Sequence, residues 1–150
     1  MRVNLLGAVI DALELEQTVE RVAGFVRSGR PHRIITLNPE FLYRAQFDHD
    51  LLELAARADL TTADGVGIVW ACRVAGSPVP ERVTGIDLML RLVARAAAEG
   101  WRVFLLGSSP GVAEEAAEKL VARHPGLQIA GTHHGYFKEG EAMEDRKSVV

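Results

Sequence analysis

The chemistry-bearing stretch of this chain is Ala63-Asp64-Gly65-Val66-Gly67. Asp64 follows the short strand-like run Ala58-Asp59-Leu60-Thr61-Thr62, and two glycines lead on into the apolar, helix-like run Ile68-Val69-Trp70-Ala71. A carboxylate on a glycine-rich turn at a strand's end projects where open α/β sheets bind ligands. There it can take a proton from a substrate hydroxyl. The plainer reading, that Asp64 only caps the next helix, carries equal weight at this point.

Other residues gather by the same logic. Thr36 and Asn38 end one strand-like run, Gly107-Ser108-Ser109-Pro110-Gly111 follows another, and His133-His134 lies near the end of a fourth. In a parallel sheet such ends share one edge, where ligands sit. The Gly107 turn offers backbone N–H groups and the Ser108 and Ser109 hydroxyls at a helix start, a geometry that favours a phosphate or diphosphate. It lacks both the dinucleotide fingerprint and the P-loop lysine, and a plain strand-to-helix turn with a serine cap fits it equally well. Arg82, just ahead of a helix start, could grip a phosphate or sugar bidentately, or simply pair with Glu81 on the surface. His133 and His134 are neighbours, so in a strand they point to opposite faces. No metal-ligand spacing occurs, and no metal or cofactor is expected. No G-x-S-x-G hydrolase pattern is present.

These residues need a scaffold, and the bulk sequence supplies one. At 150 residues the chain fits one domain. Hydrophobic residues make up 48% and charged residues 25%, ordinary values that allow a real core. A net charge of −3 with interspersed acids and bases argues against a nucleic-acid partner. A single cysteine, Cys72, excludes an internal disulfide and fits a reducing, cytoplasmic setting. Cys72, Trp70 and Trp101 sit in apolar runs and read as core. No signal peptide is expected from the short apolar stretch after Met1, and no run reaches the roughly 20 apolar residues that a spanning helix needs.

Apolar strand-like and amphipathic helix-like runs alternate, which predicts an α/β fold with an open, mainly parallel sheet and helices on both faces, Rossmann-like in plan. Strands are expected at 2–6 (paired with 8–10), 33–37, 60–62, 101–106 and 127–131. Helices are expected at about 15–26, from Asn38-Pro39 onward with 50–57 continuing helical, then at 66–74, 84–99 and 110–123. Asn38 suits an N-cap and Pro39 the first helical position. The helix at 84–99 has a wide apolar face (Ile86, Leu88, Met89, Leu92, Val93, Ala96) and is expected to be well buried. A domain over 1–137 is followed by a polar tail, 138–150, expected to be disordered.

Five ordered segments carry a resemblance: Thr36-Leu37-Asn38-Pro39-Glu40, Ala63-Asp64-Gly65-Val66-Gly67, Pro80-Glu81-Arg82-Val83-Thr84-Gly85-Ile86-Asp87, Val103-Phe104-Leu105-Leu106-Gly107 and Gly131-Thr132-His133-His134-Gly135-Tyr136-Phe137. Together they resemble the WecG/TagA/CpsF family of bacterial glycosyltransferases. The resemblance implies inverting, metal-independent transfer of an N-acetylmannosamine-type sugar from a UDP donor. The acceptor it implies is a polyprenyl-diphosphate-linked N-acetylglucosamine at the inner membrane face, for teichoic acid or related surface polymers. By that pattern Asp64 matches the base, Thr36 and Arg82 match catalytic positions, and Asn38 and Gly65 match substrate-binding ones. Gly107, Ser108, Ser109, His134 and Tyr136 look like walls of the donor pocket. Family members continue past this segment with a Gly-Ser-Pro-Lys-Gln-Glu-like motif and a basic region linked to membrane association. The chain has neither and is expected to be C-terminally incomplete relative to the family, with an uncovered apolar surface that favours homo-oligomers. Two other readings stay open: a non-catalytic nucleotide-sugar-binding module, and another nucleotide-dependent enzyme, against which the missing G-x-G-x-x-G speaks.

Overall fold

The structure, a computed structural model, describes residues 1–136. Phe137 and the tail expected at 138–150 lie outside the described residues. The chain divides after Met89 into two compact units, each with its own core. The fold is mixed α/β.

The first unit opens with an antiparallel hairpin, β1 (Arg2–Leu5) and β2 (Ala8–Asp11). Helix α1 (Leu15–Ser28) follows and stops at Gly29, whose φ of 65° is the left-handed turn that glycine adopts freely. Next come β3 (Ile34–Leu37), α2 (Pro39–Ala45), α3 (His49–Arg57) and β4 (Leu60–Ala63). Strands β3 and β4 pair in parallel, Leu37 opposite Ala63, so both run out at the same end. The helical stretch expected after Asn38 is broken at 46–48. Asp48 caps a fresh helix there by accepting from Leu51 N–H.

Helix α4 (Val66–Val74) occupies the expected residues. Its burial does not follow expectation throughout. Ile68 and Cys72 are buried, but Trp70 is 66% exposed, in line with Val66 and Val74 on the same stripe. The run is apolar all round, so periodicity could not pick the face that packs. The loop after α4 is tied down by Glu81, whose carboxylate accepts from Leu15 N–H at the start of α1. Val3, Ile10, Leu37, Ala63, Ile68 and Cys72 belong to this unit's core.

Helix α5 (Gly85–Glu99) runs across the division. It is less buried than its sequence implies: Leu88, Val93 and Ala96 are inside, while Ile86 and Met89 are exposed. The second unit continues with β5 (Arg102–Leu106), α6 (Val112–Arg123) and β6 (Gln128–His133). Helix α6 starts two residues later than expected because Pro110-Gly111 forms a turn with Gly111 at φ 90°. Strand β6 runs two residues past the expected Gly131. Strands β5 and β6 pair in parallel with a register shift after Val103, and Gly131 lies opposite Phe104. An added Cβ at Gly131 would meet the Phe104 ring at 2.7 Å. Val93, Ala96, Leu120 and Leu127, with Trp101 packed against them, form this unit's core.

Candidate functional site

The site in the first unit follows from the β3/β4 register. Because Leu37 and Ala63 are partners, the residues after them emerge side by side, and Asp64 N–H donates to Leu37 O at 2.9 Å. Thr36 pairs with Thr62 one step back. Alternation puts Thr36 and Thr62 on one face, and Thr36 Oγ1 and Asp64 Oδ2 both lie within 3.6 Å of where a Cβ on Gly85 would stand. Asn38 is the N-cap of α2: its Oδ1 accepts from Phe41 N–H at 2.8 Å, with Pro39 at the first helical position.

Gly65 then turns the chain into α4 at φ 118°, a conformation that disfavours any side chain. Gly67 lets α4 close on α2, since a Cβ there would sit 3.2 Å from Pro39 Cγ.

Asp64 does not cap α4, whose N-cap Gly65 receives no side-chain bond. Its Oδ2 instead accepts from Gly85 N–H, the first residue of α5, at 3.0 Å. The half-buried carboxylate is thus oriented by a backbone amide 21 residues away in sequence. Sequence spacing gave no sign of this partner. Val83 N–H donates to Ala63 O at 2.9 Å, which brings the Arg82–Gly85 segment to the end of β4. Arg82 is exposed and forms no ion pair with Glu81 among the described residues, since Glu81 is engaged with Leu15. The unit therefore collects Thr36, Asn38, Asp64, Gly65 and the Arg82 segment around one strand edge. It pairs a fixed carboxylate with an uncommitted guanidinium.

The second unit brings its own candidates together. Leu106 is the partner of His133, and Gly107 N–H donates to His133 O at 2.9 Å. Gly135 N–H donates to Ser108 O at 2.8 Å, closing the two loops on each other. Ser108 takes a left-handed φ of 62°, uncommon for a residue with a Cβ. No side chain caps α6, so the serine-cap reading of this turn does not hold.

The two histidines were expected on opposite faces, yet their rings lie 4.4 Å apart. His134 has left the strand, so alternation no longer governs it. Its Nδ1 accepts from Tyr136 N–H, and the Tyr136 side chain is exposed. Ser109 contributes its carbonyl to Val112 N–H.

Among the described residues no helix is long and apolar enough to cross a membrane. Residues 3–149 match the family model described as "Glycosyl transferase WecG/TagA/CpsF family". The chain is also similar to proteins of Staphylococcus aureus, among them those of strains NCTC 8325, COL and MRSA252, each called N-acetylglucosaminyldiphosphoundecaprenol N-acetyl-beta-D-mannosaminyltransferase. Identity is 34% over 138 residues, covering 91% of this chain and 54% of each relative. The chain thus spans about half the length of these relatives. With the matched segment taking in Thr36, Asp64, Arg82 and the Gly107 turn alike, the chain belongs to the WecG/TagA/CpsF glycosyltransferase family.

Proposed function

We propose that this chain carries the sugar-transfer chemistry of an inverting, metal-independent N-acetylmannosaminyltransferase. The donor is a UDP-linked sugar, and the acceptor is an N-acetylglucosamine linked through diphosphate to a polyprenyl chain. The observation that carries the reading is the Asp64 carboxylate, held by Gly85 N–H at the end of β4. It occurs in a chain 34% identical to enzymes named for that transfer.

In the proposed reaction the acceptor hydroxyl oxygen attacks the anomeric carbon from the face opposite UDP. The new C–O bond forms as the bond to the diphosphate breaks, the electron pair leaves with UDP, and the hydroxyl proton passes to Asp64. Thr36, which like Asp64 lies against Gly85, orients the acceptor, and Asn38 and Gly65 shape its seat. Arg82 offers charge to the departing diphosphate, and preorganised donors of this kind stabilise developing charge; the family resemblance, not an arrangement of the two units, adds the amides of Gly107, Ser108 and Ser109 to the donor's contacts. His134 and Tyr136 complete the donor's surroundings. The parallel β3–β4 and β5–β6 pairs, each joined through helix, support a Rossmann-like plan. A lipid-linked acceptor supports peripheral work at the inner membrane face, and association into homo-oligomers belongs to the same proposal.

UDP is expected to raise the melting temperature, since ligand at 100 times its Kd adds about 2.7 kcal/mol. Asp64→Asn is expected to lower transfer by about 100- to 10,000-fold, the usual contribution of a positioned acid or base. No shift with millimolar UDP, or an undiminished Asp64→Asn rate, would refute the proposal. UDP binding without transfer would assign a binding module instead.

A further inference from the structure

We propose that Gly85 is a positioning residue for the transfer, acting through Asp64, and that its missing side chain keeps the approach to Asp64 and Thr36 open. This rests on the reading of Asp64 as the base.

Two observations carry it. Gly85 N–H makes the one hydrogen bond to the Asp64 carboxylate among the described residues, at 3.0 Å to Oδ2. With Oδ2 tied to an amide, Oδ1 is the oxygen left to receive a proton. The second observation is space. A Cβ on Gly85 would stand 3.2 Å from Thr36 Oγ1, 3.4 Å from Thr36 Cγ2 and 3.6 Å from Asp64 Oδ2. A methyl there would touch the hydroxyl and the carboxylate at once, on the surface an acceptor hydroxyl must reach.

The backbone itself does not ask for glycine. Gly85 is not among the residues with positive φ, and it is helical. In helices alanine is intrinsically better than glycine by about 1 kcal/mol. The start of α5 is also held without it. Thr84 Oγ1 accepts from Asp87 N–H at 3.1 Å and donates to Asp87 Oδ2 at 2.8 Å, a first-turn cap that does not use Gly85. A glycine that local conformation does not need, set against the proposed base and the hydroxyl that orients the acceptor, is explained by what must pass over it.

The test uses the full chain as Gly85→Ala, Asp64→Asn and the double variant. In amide NMR spectra, Asp64→Asn is expected to move the Gly85 N–H resonance; an unmoved resonance overturns the bond. Gly85→Ala keeps that N–H and fills the space. Its melting temperature is expected to hold or rise, and its UDP affinity to be unchanged. Its acceptor kcat/KM is expected to fall by about 100-fold, the scale of an ångström-sized misplacement. Added to Asp64→Asn, it should cost nothing further, because residues acting as a unit are not additive.

A lowered melting temperature in Gly85→Ala assigns a merely structural role and overturns the inference. So does wild-type transfer by Gly85→Ala when Asp64→Asn is inactive, though Asp64 then stands as the base. Full transfer by Asp64→Asn, or none by the wild-type chain, ends both readings together.

Discussion

Asn38 offers the sharpest quantitative test, because its two roles separate by substitution. Helix α2 spans only seven residues, and its N-terminal N–H groups have no helical partners. Pro39 has no N–H to satisfy, Leu42 N–H already reaches Asn38 O, and Asn38 Oδ1 takes the N–H of Phe41 at 2.8 Å. Asn38→Ala removes that acceptor and is expected to destabilise by about 1 kcal/mol, the typical value for a lost N-cap. With urea slopes of about 1–3 kcal/mol/M, the unfolding midpoint should fall by roughly 0.3–1 M. The melting temperature should drop by about 2–4 °C at this chain length. Asn38→Asp keeps an equally good cap and should unfold like the wild type, and Asn38→Gly should lose only a few tenths of a kcal/mol. If Asn38 also seats substrate, Asn38→Asp should lose ligand binding while keeping its stability. An Asn38→Ala chain within about 0.5 kcal/mol of wild type, the range of uninvolved surface substitutions, would refute the cap reasoning.

Three further outcomes are expected. Leu37→Ala empties a site that is 0% exposed in the first core and should cost about 2–5 kcal/mol by urea denaturation; a loss comparable to a surface change would mean the site collapses freely. Gly131→Ala should cost about 1–3 kcal/mol by overpacking against Phe104, and Phe104→Leu in the same chain should recover part of it; no loss would show that the ring simply swings away. Asp59 is held below its ordinary carboxyl value of 3.8, first by Arg33 N–H and then by His32. A lowered folded value adds stability above that pH and loses it as pH falls through the folded value. The gap between wild type and Asp59→Asn should therefore close as pH falls below 3.8, and a gap independent of pH would count against it.

Local signals were the readable ones. Gly65 before α4, Gly76 after it, and the Asn38-Pro39 pair each act within a few residues, so the bounds of α4 and the cap of α2 could be read directly. Asp48 carried a comparable signal for the start of α3, but the adjacent Asp50 offers the same one two residues later. Helix faces were harder. Trp70 lies in a run apolar on every side, and only the packed fold decides that Ile68 and Cys72 turn inward. The site divided in the same way. Thr36, Asn38 and Asp64 follow from strand ends and register, whereas the Gly85 bond to Asp64 joins distant segments and has no periodic signature. The contact between the rings of His133 and His134 depended on where β6 stops, which spacing placed two residues early.

The outward turn of Trp70 has a practical consequence. The chain holds two tryptophans, and Trp101 is half-buried against its own core. Trp70 faces water on the helix that begins just after Asp64 and Gly65, so a dissolved quencher such as acrylamide reaches it readily. Emission from this indole gives the molecule a native optical reporter on the helix that follows its acid, one that needs no dye or tag.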